Sequence, residues 1–158
     1  MKNISINYKI NGRAVSRDVP TNQMLIDLIR NTERLLGTKV SCDQSVCGTC
    51  TVLVNGEPRT ACSTFSFEID NCDILTIEGL ANGDKLSAVQ EAFLNSSAFQ
   101  CGYCTPGMIM LATSLLEQEA NPDEKSIRRW MGANICRCTG YKMIIEAVQT
   151  VTEKDNDC

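Results

Sequence analysis

CDQSVCGTCTVLVNGEPRTAC, residues 42–62, is the stretch from which the fold can be read. Cys42, Cys47 and Cys50 stand on one short loop in a C-x4-C-x2-C pattern. The next residues, Thr51-Val52-Leu53-Val54, read as a strand, and Asn55-Gly56 reads as the tight turn of a hairpin. A hairpin returns the chain, so Cys62, separated from Cys50 by eleven residues, folds back onto the loop. Three cysteines on a loop plus one distant cysteine is the plant-type spacing of a [2Fe–2S] cluster. Such a cluster takes two thiolates on each iron and draws the backbone in close, which suits Gly48 and the small Thr49. A four-thiolate zinc site is the competing reading, but zinc favours two well-separated cysteine pairs.

Upstream, Ile4, Ile6, Tyr8 and Ile10 alternate through residues 2–10, the period of a half-buried strand. Asn11-Gly12 is a second hairpin signal, and residues 13–19 return as a strand carrying Val15 and Val19. Leu25, Leu28 and Ile29 set a helical segment over residues 22–30, and residues 74–77 form a closing strand. The first 78 residues therefore read as a mixed sheet with one helix.

The second half changes period. Residues 85–95 carry Leu86, Val89, Ala92 and Phe93 at helical spacing. Pro106 opens a helix through Leu116, Asn121-Pro122 breaks it, and Asp123 starts another with Ile127, Trp130 and Met131. A last helix follows Gly140 and runs through Val151. Four helices with short connections predict a small bundle. The boundary falls at Ala81-Asn82-Gly83-Asp84, giving expected units of 1–80 and 81–152 and a tail of 153–158.

The helical half holds its own cysteine set, Cys101, Cys104, Cys136 and Cys138, spaced C-x2-C-x31-C-x-C. Each pair precedes a helix, where free N–H groups and the positive dipole end favour an anionic centre. On residue chemistry alone, zinc and a CGYC redox pair compete with iron–sulfur here. The redox pair needs a βαβ context and leaves Cys136 and Cys138 without a role.

The chain has 158 residues, ten cysteines and no histidine. That composition removes imidazole bases, cysteine–histidine nucleophiles, mixed zinc fingers and Rieske centres. A formal charge of −4 argues against nucleic acid. No apolar run is long enough for a membrane span, and MKNISINYKI has neither an apolar h-region nor twin arginines. A cytoplasmic chain is expected, which disfavours disulfides.

Residues 42–62, QCGYCTPG at 100–107 and NICRCTGY at 134–141 together resemble the iron–sulfur subunit of molybdenum hydroxylases, the family of xanthine dehydrogenase, aldehyde oxidoreductase, nicotinate dehydrogenase and carbon monoxide dehydrogenase. The resemblance spans roughly residues 1–152. It implies an α+β chain: an N-terminal β-grasp, ferredoxin-like domain followed by a four-helix bundle, each with one [2Fe–2S] cluster. Cys42, Cys47, Cys50 and Cys62 would hold the first, and Cys101, Cys104, Cys136 and Cys138 the second. Gln100 and Cys138 would contact molybdopterin (as its cytosine dinucleotide) on a large partner subunit. FAD would sit on a medium subunit, in a dimer of heterotrimers. The chain would pass electrons within an oxidoreductase and turn over no substrate alone. A stand-alone two-cluster ferredoxin and a zinc-stapled interaction module are the other readings.

One position departs from the family. Many members have Glu-Gly between the first two cysteines, where this chain has Gln44-Ser45. Serine enters positive φ less readily than glycine, so the loop backbone and the cluster potential are expected to differ here. Tyr103 is read as packing on the second cluster, Arg137 as a charge that tunes it, and Met108, Met110, Met131 and Met143 as core. Trp130 is core or subunit interface. Cys72 reads as a packed free thiol and Cys158 as part of the tail.

Overall fold

The computed structural model describes residues 2–155, with side chains through residue 152. Its α+β fold starts with β1 (Asn3–Ile10) and β2 (Arg13–Pro20), an antiparallel hairpin pairing Tyr8 with Val15 and Ile10 with Arg13. Asn11 and Gly12 take φ of 50° and 78°, the left-handed pair that a tight turn requires. Ile6, Tyr8, Ile10, Val15 and Val19 are buried, while Ile4 lies nearer the edge and is 37% exposed.

The helical segment expected over 22–30 is shorter and later. α1 (Leu25–Asp27) runs straight into a π-helical turn, Leu28–Thr32. The reason is tertiary. The Leu25 and Ile26 amides donate to the carbonyls of Thr64 and Ala61 at 2.7 and 2.9 Å, which pins the helix start to the chain after the second hairpin.

That hairpin is β3 (Thr51–Val54) and β4 (Glu57–Thr60), turning at Asn55-Gly56. β5 (Asp73–Leu75) closes the sheet in the order β2-β1-β5-β3-β4, parallel to β1 and antiparallel to β3. It ends before Thr76 because the Asn11 side chain accepts from the Thr76 amide at 2.9 Å, taking that donor from the ladder.

The later helices are α2 (Ala88–Asn95), α3 (Thr105–Gln118), α4 (Glu124–Met131) and α5 (Lys142–Asp155). α2 begins three residues after the expected start, where Ser87 and Gln90 cap each other at 2.9 and 3.3 Å. Asp123 caps α4 by accepting from the Ser126 amide at 2.7 Å. α5 takes in the first residues of the expected tail; residues 156–158, and with them Cys158, lie outside the described residues.

Each half has its own core. Phe93, Met108, Ile127, Met131, Ala147 and Val148 join the four helices, and Trp130 packs against them with its Nε1–H donating to the Leu111 carbonyl at 3.0 Å. Ile6, Ile10, Leu25, Ile29, Val52 and Ile74 fill the sheet side. α3 packs on β3 and β4, joining the two halves. Among the described residues no helix is long and apolar enough to cross a membrane.

Candidate metal centres

The first four cysteines meet at the mouth of the β3–β4 hairpin. Cys42 stands beside Cys47 and Cys50 beside Cys62, each pair tied by a backbone amide of one cysteine donating to the sulfur of the other. Three amides of the loop, from Gln44, Val46 and Cys47, donate to Cys42 Sγ at 3.4 Å each. The Ser45 amide donates to Cys62 Sγ at 3.3 Å, and the Cys62 amide to Cys50 Sγ at 3.5 Å.

These donors prefer thiolate. The Gln44, Cys47 and Val46 amides pull the Cys42 thiol down to about 6, so it ionises near neutrality. Burial pushes the Cys50 thiol up to about 12, so its thiolate needs a metal's charge to form.

The second four gather in front of α3 and α5. Cys104 occupies the cap position of α3, with Pro106 in the first turn. The Cys104 and Cys136 thiols are neighbours, and Cys138 Sγ lies 3.7 Å from Cys101 Sγ. Burial raises Cys104 to about 12. Burial also works to raise Cys136, but the Thr139 hydroxyl and amide, donating at 3.1 and 3.4 Å, outweigh it and hold that thiol below its ordinary value. Tyr141 braces the turn: its hydroxyl accepts from the Cys136 amide at 2.8 Å and donates to the Asn134 carbonyl at 3.1 Å.

Both sets thus consist of two thiol pairs. Two pairs side by side are a donor arrangement that suits two irons. The ring of amides aimed at sulfur fits the same anionic group.

The two centres touch through their loops. The Ile135 amide, next to Cys136, donates to the Cys47 carbonyl at 2.8 Å. A Cβ on Gly48 would lie 2.4 Å from the Ala133 carbonyl oxygen, and one on Gly107 would lie 2.6 Å from Asn134 Nδ2. Only glycine permits this approach. Asn134 is fully buried between the loops, and among the described residues neither of its side-chain polar atoms has a hydrogen-bond partner.

Tyr103 has a partner that sequence reasoning missed. Its hydroxyl donates to the Val40 carbonyl at 2.5 Å, tying the second loop to the approach of the first. Ser45 holds φ of 57°, the glycine-like conformation that a serine resists. Gln100, Cys101, Arg137 and Cys138 all lie on the surface beside the second centre. Cys72 stands apart from both centres, half-buried beside β1, its thiol 3.7 Å from the Asp70 carbonyl. The roles of Thr139, Tyr141 and Asn134 were also missed; the signal for Thr139 and Tyr141 was their place inside CRCTGY.

Family patterns match both halves: a "2Fe-2S iron-sulfur cluster binding domain" over residues 7–91 and a "[2Fe-2S] binding domain" over residues 76–149. The chain is 42% identical to the nicotinate dehydrogenase small FeS subunit of Eubacterium barkeri, covering 98% of both chains. It is 42% identical to the xanthine dehydrogenase iron-sulfur-binding subunit of Escherichia coli O157:H7, covering 92% of both. A chain of quinoline 2-oxidoreductase from Pseudomonas putida 86 superposes with a TM-score of 0.93 at 39% identity, over 99% of this chain and 98% of that one. The aldehyde oxidoreductase of Desulfovibrio gigas gives a TM-score of 0.93 at 35% identity, over 98% of this chain and 17% of that one.

Proposed function

Because the chain belongs to the family of small [2Fe–2S] iron–sulfur subunits of molybdenum hydroxylases, we propose that it is the electron conduit between a molybdopterin site on a large subunit and FAD on a medium subunit. The observation that carries this reading is the pairing of eight thiols into two centres whose loops share the Ile135–Cys47 hydrogen bond. Neither a stand-alone ferredoxin nor a zinc module accounts for the relatives, which are subunits of dehydrogenases and oxidoreductases.

Two units carry the work, a β-grasp domain over 1–80 and a four-helix bundle over 81–152. Cys42 and Cys47 hold one iron of the first cluster, and Cys50 and Cys62 the other. Cys104 with Cys136, and Cys101 with Cys138, hold the irons of the second. When bound, each cluster takes up and returns one electron. The chain's own residues deprotonate, fix the sulfurs in place and aim amides at them. Exposed Gln100 and Cys138 form the contact with the pterin, and no residue of this chain touches substrate. The working assembly is a cytoplasmic dimer of heterotrimers.

The test uses the purified complex. It should hold about four irons per small subunit and show two distinct reduced-cluster signals by electron paramagnetic resonance. Cys104→Ser or Cys138→Ser should remove one signal and abolish flavin reduction by substrate. Flavin reduced at the normal rate in either variant would refute the route, and a colourless zinc-loaded chain would refute the cofactor.

A further inference from the structure

We infer that Ser45 is a positioning residue for the first cluster: its hydroxyl, clamped to the end of β4, holds the backbone in the conformation that aims the Ser45 amide at Cys62 Sγ. The inference rests on the electron-conduit reading. Ser45 sits at φ of 57°, a region in which an L side chain is strained. A residue held there needs something to hold it. Ser45 Oγ lies 2.7 Å from Thr60 Oγ1, and Thr60 Oγ1 lies 2.7 Å from Ser63 Oγ. Thr60 is the last residue of β4, paired with Thr51 of β3, so the anchor is a strand end. The Ser45 amide reaches Cys62 Sγ at 3.3 Å, while the other loop amides serve Cys42.

The consequence is electrostatic. A cluster gains one negative charge on reduction, and an N–H aimed at a ligand sulfur stabilises the more negative state. Release of the clamp lets residue 45 relax toward negative φ and turns that N–H away. The reduced form then loses stability and the potential of the first cluster falls. No bond breaks and no proton moves.

The experiment is potentiometry on the intact complex, with each cluster followed by electron paramagnetic resonance and the second serving as internal reference. Ser45→Ala keeps an L side chain's preference for negative φ and loses the clamp; Thr60→Val removes the anchor without touching the loop. Each should shift the first-cluster reduction equilibrium by about threefold to tenfold toward the oxidised form, about 28 to 59 mV for one electron. The double variant should shift no further than either single one, because both break the same tie. Ser45→Gly should shift less than Ser45→Ala, since glycine holds positive φ unaided. Ser63→Ala, at the far end of the chain of hydroxyls, should shift least. Exchange of the Ser45 amide should quicken by a similar factor in both clamp variants.

If Ser45→Ala fails to load iron, Thr60→Val decides. A loaded Thr60→Val complex with an unmoved first-cluster potential overturns the clamp, as do additive shifts in the double variant. Absence of any first-cluster signal from the unaltered complex would instead overturn the cluster assignment itself.

Discussion

Thr139 shows how one side chain acts on one sulfur. Its hydroxyl donates to Cys136 Sγ at 3.1 Å and its amide to the same atom at 3.4 Å. Cys136 is buried, so those donors stand in for the water its thiolate lacks. Thr139→Val preserves shape and removes only the hydroxyl. It should lower the second-cluster potential by about 43 mV, the one-electron equivalent of the ~1 kcal/mol that one hydrogen bond contributes. A potential unmoved in an iron-replete variant would show the hydroxyl to be spectator. The cysteines themselves were legible as residues, because thiolate ligands announce themselves by type and spacing. Ser45 was legible only as a departure from the family's glycine and Thr139 only as part of CRCTGY, while Thr60 was not legible: hydroxyls are common, and only a folded backbone gives one its partner.

Among the elements, the β1–β2 hairpin is locked to the segment that leads toward the first cluster loop by a buried carboxylate. Glu33 follows the π-helical turn, and its side chain is 1% exposed. It accepts from the Tyr8 hydroxyl at 2.8 Å and from Arg17 Nε at 3.1 Å, and it pairs with Arg13. Burial works to raise the Glu33 carboxyl; the Tyr8 hydroxyl, Arg13 and Arg17 outweigh it and hold it below its ordinary value. Its contribution to stability is therefore full above the unfolded value of about 4.3 and is lost as pH falls through the lower folded one. Glu33→Gln should cost about 1.5–3 kcal/mol at pH 7, with the gap to the unaltered protein narrowing below about pH 4. Urea unfolding at a series of pH values measures both, and a gap independent of pH would rule out the charge as its source. The sequence gives both hairpins here because Asn-Gly turns are local. It misplaces the start of α1 because that start depends on carbonyls of Ala61 and Thr64, more than thirty residues away.

For the whole molecule, the decisive feature is how closely the two cluster loops approach. Gly107 opens the way: a Cβ there would lie 2.6 Å from Asn134 Nδ2 and 2.8 Å from the Gly48 carbonyl oxygen. Both neighbours are buried and cannot yield cheaply. Gly107→Ala should destabilise the chain by about 1–3 kcal/mol, as overpacking does, and wedge the loops apart. Rapid reduction of the complex by substrate should then show the second cluster filling at its usual rate and the first filling more slowly. Equal filling rates in the unaltered and variant complexes would argue that loop contact does not set the gap between centres.

The sequence by itself determined the fold class, the two cysteine quartets and the family, because turn chemistry, hydrophobic period and ligand spacing are all short-range properties of a chain. Tertiary structure alone decided which thiol pairs with which, which amides face them, and how the two loops meet through Ile135 and Cys47. Those relations join residues far apart in the chain, where spacing carries no distance and only packing brings a donor to its acceptor. The ten cysteines stated that sulfur does the chemistry. The fold gathered eight of them into two groups whose loops are tied by the Ile135–Cys47 backbone hydrogen bond and by Tyr103.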